Sequence, residues 1–289
     1  MIAQGRTVLT AGAVLAVLLL AGGWLFSHPI SVSANQSVIL LPAAMYHSVT
    51  DAGDSPAQYV ISPSMLESDL QYLQAHGRET VTIHDLLAYV QDGAALPEKP
   101  VLLTFDDGYY NNYKYAYPLL KQYGMRAVLS PVASLTERFS QTDEAEQEAW
   151  SYCTGRELRE MADSGVFEIQ NHSYDFHELK PRKGCLRMAG ETAAAYRQCF
   201  LSDTRRAQDL FVSLGIEAPV CYTYPYGAVN AEAQALTAVC GFSVTLSCEE
   251  GVTALTRDTA CLQSIRRNNR DGRWSSAQFW DALLAQTEG

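Results

Sequence analysis

Positive charge is scarce in this chain. Of 289 residues, 21 are Lys or Arg against 32 Asp or Glu, a formal net charge of -11. A nucleic-acid binder needs a basic face, and so does a protein that adheres to anionic lipid, so both classes are disfavoured and no nucleic-acid partner is expected. Neutral and cationic substrates stay open. Cysteine is missing from the first half: all seven, Cys153, Cys185, Cys199, Cys221, Cys240, Cys248 and Cys261, lie in the second. No two have the close spacing of a zinc knuckle, so they are not read as metal ligands. There is no HExxH helix motif, which argues against a metalloprotease. Internal repeats and low-complexity segments are also lacking. What is present is a globular composition, 47% apolar and 18% charged, with the charges spread out rather than massed as in a disordered chain.

The one long apolar run is Val8 to Phe26, with Arg6 as a short positive region before it. It is long for a signal-peptide core and just long enough to cross a bilayer. An uncleaved signal anchor is the first reading. A cleaved signal peptide is the second, with Val32-Ser33-Ala34 as the cleavage site. Either way residues 1–34 form a leader with its linker, residues 35–289 form one exported domain, and the location is extracytoplasmic, membrane-anchored or secreted. Outside the cell, one to three disulfides are permitted. Cys185 with Cys199, or Cys240 with Cys248, are the sequence-local candidates, and an odd count leaves at least one thiol unpaired.

The rest alternates strand-like and helix-like segments. Strand patterns fall at Ile39–Met45, Val101–Phe105, Arg126–Val132, Val166–Gln170, Val220–Tyr224 and Phe242–Leu246. Helices start at Ser62-Pro63, with the stripe Leu66, Leu70 and Leu73, and at Thr82 and Thr154, each with an acid three residues on as a capping box. The Thr82 helix should stop near Gly93. Others run over 118–123, from about Thr192 to Leu214, and from Asn230. Thr136 to Glu148 is polar and acidic and reads as a surface insertion. Repeated strand–helix units predict a parallel α/β sheet covered by helices, either open or closed into a barrel, with chemistry just past the C-terminal strand ends.

Those ends gather the reactive residues. Ile39–Met45 leads into Tyr46-His47-Ser48, Val101–Phe105 into Asp106-Asp107-Gly108, Val166–Gln170 into Asn171-His172-Ser173-Tyr174-Asp175-Phe176-His177, and Val220–Tyr224 into Pro225-Tyr226-Gly227. Two adjacent aspartates at a strand end point in different directions, so one can hold a metal while the other stays free as a base. DDG is also an ordinary turn. His172 and His177, five apart, would fall on different faces of a helix and must act from a loop. Two imidazoles with one carboxylate are a frequent zinc set.

Together these segments resemble the NodB-type polysaccharide deacetylases, carbohydrate esterase family four. Thr104-Phe105-Asp106-Asp107-Gly108 matches that family's first motif, and His172-Ser173 with His177 its second, with one extra residue between the histidines. That spacing, and Met45-Tyr46-His47-Ser48-Val49, look like the poly-N-acetylglucosamine deacetylase branch. The resemblance covers roughly residues 40 to 270. It implies a distorted (β/α) barrel and a divalent metal, zinc first, held by Asp107, His172 and His177. It implies Asp106 as general base and Pro225-Tyr226 as the third motif, with the Tyr226 N–H in an oxyanion hole. The family's third motif carries an arginine where this chain has Thr223, so Asp106 must be oriented otherwise or activity is low. The family's C-terminal histidine is also missing from Leu262-Gln263-Ser264-Ile265-Arg266-Arg267-Asn268. His47, reaching in from the first strand, is the candidate acid. Tyr109, Tyr110, Tyr174 and Tyr226 would stack on sugar rings.

The expected activity is therefore hydrolysis of N-acetyl groups on an amino-sugar polymer by a monomer. An O-acetyl carbohydrate esterase of the same fold is one rival. An anchored glycan-binding module with a weakened site is the other.

Overall fold

The computed structural model describes residues 38–52, 56–142 and 145–287. These fall in one compact unit, Ser37–Gly289. The expected leader lies outside the described residues. Among those described, no helix is long and apolar enough to cross a membrane.

Most strands are short apolar stretches, and the central ones are paired on both edges. β1 (Ile39–Tyr46), β5 (Pro100–Asp107), β6 (Ala127–Pro131) and β7 (Phe167–Ile169) form consecutive parallel pairs. Two short parallel pairs flank them: β2 (Ser48–Val49) with β3 (Val60–Ile61), and β4 (Glu79–Val81) with the first half of β5. β8 (Cys221–Thr223) and β9 (Val244–Leu246) are parallel to each other. Single bridges carry the ladder onward: Asn171 to Tyr222 joins the end of β7 to β8, and Leu246 to Ile265 joins β9 to the following segment. That segment ends as β11 (Asn268–Asn269), parallel to β1 at Ala44 and Met45, while β10 (Val252–Leu255) runs antiparallel to the first half of β1. The strands thus return to where they began, and of the two architectures left open it is the distorted (β/α) barrel that forms.

Period-two alternation then decides which side chain goes where. On β5, Val101, Leu103 and Phe105 join the cluster under the helices, whereas Leu102 joins Leu41, Ala43, Val128, Cys221, Val244, Leu246 and Ile265 inside the barrel. Every residue of β5 is buried, as a strand covered on both faces must be. Thr104 and Asp106 continue the inward row above Leu102. The barrel interior is therefore apolar below and polar at its C-terminal mouth.

The helices cover the outside. In α1 (Pro63–Ala75) Ser62 accepts from the Met65 N–H, and Leu66, Leu70 and Leu73 are buried as their spacing requires. Fully burying one such leucine stabilises by about 1.5–3 kcal/mol. Thr82 caps α2 (Ile83–Leu87) with Asp85 in a capping box, but residues 88–92 continue as a π-helical turn rather than α-helix up to Gly93. A second π turn, Asn112–Ala116, leads into α3 (Tyr117–Gln122). α4 (Ala133–Phe139) corrects one expectation: the start of the polar stretch 136–148 is helical, and Thr136 and Phe139 are buried. One aromatic and one hydroxyl in helical register on the inner face outweighed the acidic average. α5 (Gly155–Asp163) has the Thr154–Glu157 capping box, α6 (Ala193–Ser213) starts after Thr192, α7 (Ala231–Val239) after Asn230, and α8 (Ser276–Leu284) packs Trp280 into the core.

The cysteines correct a second expectation: all seven are free thiols. Cys185 is buried against the Ala228 carbonyl and Cys199 faces Arg182, while Cys240 caps α7 and Cys248 sits at the barrel mouth beside Met45. Closeness in sequence did not place either suggested pair together.

Candidate active site

β5 ends the polar row with two aspartates that separate. Asp106 keeps the strand's inward direction. Asp107 takes φ 70, a left-handed backbone that turns its carboxylate away from the barrel axis. Gly108 must follow, because a Cβ there would lie 2.5 Å from the Pro131 Cβ. Left-handed backbone also occurs at Ser173 (φ 71) and Tyr226 (φ 58). Such conformations cost about 1–3 kcal/mol and gather where a site demands them. The Ser173 turn is braced by Asn171 Oδ1, which accepts from the Ser173 N–H at 2.7 Å, and by Ser173 Oγ, which accepts from the Phe176 N–H at 3.0 Å. That turn brings both histidines, five residues apart on a loop, to one point.

Asp107 Oδ1 lies 3.0 Å from His177 Nε2 and 3.5 Å from His172 Nε2. One ligand atom from each of these residues lies within 4.8 Å of the others. His172 Nδ1 lies 2.8 Å from the Thr223 carbonyl oxygen. As the donor in that bond, Nδ1 carries the proton, and Nε2 is left with its lone pair facing Asp107, the state a metal ligand needs. Two neutral imidazole nitrogens and a carboxylate fit a divalent cation. Burial alone would raise the Asp107 carboxyl, but the facing His172 and His177 rings hold it well below its ordinary value. His177 moves the other way: burial lowers it, and Asp107 more than compensates.

Asp106 is held by a residue that the sequence did not reveal. Arg267 Nη1 and Nη2 donate to its two carboxylate oxygens at 2.7 and 2.9 Å, with Arg267 fully buried. Arg267 Nε donates to the Ser247 carbonyl and Nη1 also reaches Thr104 Oγ1, which fixes the guanidinium plane. Bidentate pairing of this kind fixes geometry as well as charge. Burial pushes the Asp106 carboxyl up, yet Arg267 and His172 bring it below its ordinary value. Thr223 instead pairs its hydroxyl with Ser130 at 2.7 Å across the barrel mouth. The segment that lacks the expected histidine thus supplies the arginine that β8 does not.

His47 follows β1 and lies within electrostatic reach of Asp106, Asp107, His172 and Arg267. Burial lowers its pKa, and the two aspartates partly oppose this. Its backbone carbonyl accepts from Asn112 Nδ2 at 2.8 Å, and its ring meets Tyr59 edge-on at 4.8 Å between centroids. Its Nδ1 is buried with no hydrogen-bond partner.

The aromatic candidates divide. Tyr226 is 41% exposed, stacks on His177 at 4.7 Å, and donates its hydroxyl to the His177 carbonyl at 3.1 Å. Pro225 before it is buried. Tyr109 lies on Tyr152 at 4.8 Å, with its phenol in reach of Asp107. Tyr110 is tilted against Tyr113, farther out. Tyr174 is turned to protein instead: it is 8% exposed, lies under the Arg206 guanidinium at 3.7 Å, and donates its hydroxyl to Glu137. Packing, not a sugar platform, is its evident part.

Comparison with known proteins agrees with this geometry. The family model for polysaccharide deacetylase matches residues 93–245. A putative polysaccharide deacetylase of Bacillus subtilis, YxkH, is 27% identical over 78% of this chain and 71% of its own. The poly-β-1,6-N-acetyl-D-glucosamine N-deacetylase of Staphylococcus aureus is 27% identical over 66% of this chain, which spans only 62% of that protein's length. Among solved structures, the Streptococcus pyogenes deacetylase PplD superposes with a TM-score of 0.69 at 18% identity, over 88% of this chain and all of its own, a likeness of fold. The strand-end aspartate pair, the two-histidine loop and the matched family model together place this chain in the polysaccharide deacetylase family.

Proposed function

We propose that this protein is a metal-dependent hydrolase that removes N-acetyl groups from an amino-sugar polymer and releases acetate. The observation that carries the reading is the pairing of a closed Asp107–His172–His177 ligand set with a neighbouring carboxylate, Asp106, that is kept anionic and aimed by Arg267. A divalent cation, zinc by ligand preference, would supply Lewis-acid polarisation of the acetamide carbonyl and make water a nucleophile at neutral pH.

The chain's own groups do the rest. Asp106 accepts the proton of the attacking water. Its depressed pKa keeps it ionised and ready, and Arg267 prevents it from swinging into the ligand set. The Tyr226 N–H, presented by the left-handed turn, faces the developing oxyanion; a donor of this kind contributes about 3 kcal/mol. His47 returns a proton to the departing amine. Burial makes its imidazolium a stronger acid than a free one, which suits a poor leaving group. The likeness to the poly-β-1,6-N-acetyl-D-glucosamine deacetylase favours a hexosamine polymer over an O-acetylated sugar.

The test is acetate release from N-acetylated glucosamine oligomers and from peptidoglycan, beside O-acetyl xylan, with and without a chelator. Release from the N-acetyl substrates alone, abolished by chelation and restored by zinc, is expected. Release only from O-acetyl xylan would transfer the activity to the esterase reading, and stoichiometric metal with no release from any glycan would favour a binding module.

A further inference from the structure

The aromatic rings beside Asp107 do not stop at Tyr109. Tyr109 stacks on Tyr152 at 4.8 Å, Tyr152 meets Phe139 at 5.6 Å, and Phe139 meets Trp150 at 5.8 Å between centroids. The file begins at the metal-ligand set and ends in an indole that is 47% exposed. A single exposed aromatic is ordinary on a protein surface. This one differs in how firmly it is held.

Residues 150–153 lie against the loop after β5. Tyr109 and Tyr152 form an antiparallel bridge, Tyr110 N–H donates to the Ser151 carbonyl at 2.9 Å, and Cys153 N–H donates to the Gly108 carbonyl at 2.8 Å. The Gln147 carbonyl accepts from the Trp150 N–H, the Ser151 N–H and the Ser151 hydroxyl. Beneath the turn, Glu148 accepts from Tyr115 Oη at 2.9 Å and Thr50 Oγ1 at 3.2 Å and pairs with Lys114, while Asn111 Nδ2 donates to its carbonyl at 3.0 Å. A bulky ring fixed in solvent by this much polar scaffolding is preorganised for a contact.

We propose that Trp150 is the outer platform of a sugar-binding subsite and carries a hexosamine ring farther along the polymer strand from the one being deacetylated. The proposal rests on the deacetylase reading above. The C–H faces of a pyranose are apolar and electron-poor and pack on the negative face of an indole. The file supplies the support: Phe139 is buried beneath and Tyr152 is half-buried beside the site, and Trp150, on the same turn as Tyr152, is the ring of the file that stands in solvent. Tyr226 stacks on His177 and is not part of this file. The role of Trp150 is therefore specificity for chain length, with no part in the bond-breaking step.

The experiment uses the full chain with zinc bound and N-acetylglucosamine oligomers from dimer to hexamer. Trp150→Ala is compared with Trp274→Ala, which removes an indole of similar exposure, 48%, outside the file. With Trp150→Ala, kcat/KM on the hexamer should fall about tenfold, mostly through KM, and the loss should shrink as the oligomer shortens. Trp150→Phe should restore most of it. A length profile for Trp150→Ala that matches Trp274→Ala overturns the subsite. A second arm follows tryptophan fluorescence during hexamer titration. A saturable change that disappears in Trp150→Phe supports the proposal, and a change that persists there, or none in the wild type, overturns it. If the wild type releases acetate from no oligomer, the deacetylase reading fails, and the fluorescence arm alone decides the subsite.

Discussion

Two buried arginine–aspartate pairs hang from one short segment of this chain, and they do different work. Arg267 grips Asp106 at the barrel mouth; Arg270, three residues on, grips Asp69 of α1 behind β1, through Nε at 2.8 Å and Nη2 at 3.1 Å. Asp69 is closed: Tyr46 donates its hydroxyl to it at 3.1 Å, and both partners of the ion pair are fully buried. Burial is the dominant influence there and raises the Asp69 carboxyl despite Arg270. At Asp106 the positive groups prevail over burial and lower it. The same chemical pair thus keeps a carboxyl low where histidines join the arginine, and forms a closed structural tie where a phenol joins it. The tie also serves the site, since Tyr46 precedes His47 and stacks on Phe105, which precedes Asp106.

The contrast is open to direct attack, starting with the largest effect. Asp106→Asn should reduce acetate release by about 10²–10⁴-fold while bound zinc, measured by atomic absorption, stays near one per chain. Asp69→Asn should do the reverse. Breaking a buried pair by removing one charge costs about 3–5 kcal/mol, read as a lower urea midpoint, with turnover per folded molecule much closer to wild type. If Asp69→Asn proves kinetically dead but stable, the division of labour between the pairs is wrong. His172→Ala should lose the metal and the activity together. Arg267→Lys keeps the charge and loses the fork, and should lower kcat about tenfold with KM little changed. An unchanged kcat would show that Asp106 needs no bidentate partner.

The smallest effect lies at the far end of the barrel. His84 Nδ1 sits 3.1 Å from Glu168 and Nε2 3.6 Å from Glu217, and the Glu168 hydrogen bond raises its pKa above the ordinary 6.5. A group whose pKa is higher in the folded state contributes stability below the unfolded value and loses it as pH rises through the folded one. Stability should therefore decline slightly on going from about pH 6 upward through the raised value. His84 is 43% exposed, so solvent screening limits the effect to about 0.2–1 kcal/mol. His84→Gln should flatten that slope in urea titrations at stepped pH.

Much of the molecule was legible because local rules survived folding. The Ser62, Thr82, Thr154, Thr192 and Asn230 caps sit where hydroxyl and amide side chains before apolar stripes placed them. Strand ends that all open on one face gathered the aspartates and histidines, and the family resemblance singled out Asp107, His172 and His177 among them. The π turns did not show, since they share residues and spacing with α-helix. The Asp69 tie left a faint trace: Asp69 falls on the same face as Leu66, Leu70 and Leu73, where a carboxylate has no place without a partner. Arg267 left none. Nothing local distinguishes it from Arg266 next to it, which is half-exposed on Glu249.

The sequence by itself determined the strand–helix alternation, the motif residues and their order, because these depend on periodicity and on chemistry carried within a few residues. Tertiary structure alone decided which arginine meets Asp106, which tyrosines face the site and that the thiols stay apart. Barrel closure brings residue 267 onto residue 106 through a ladder of neighbours, and inward or outward direction flips with each single residue of register, so no local stretch holds that information.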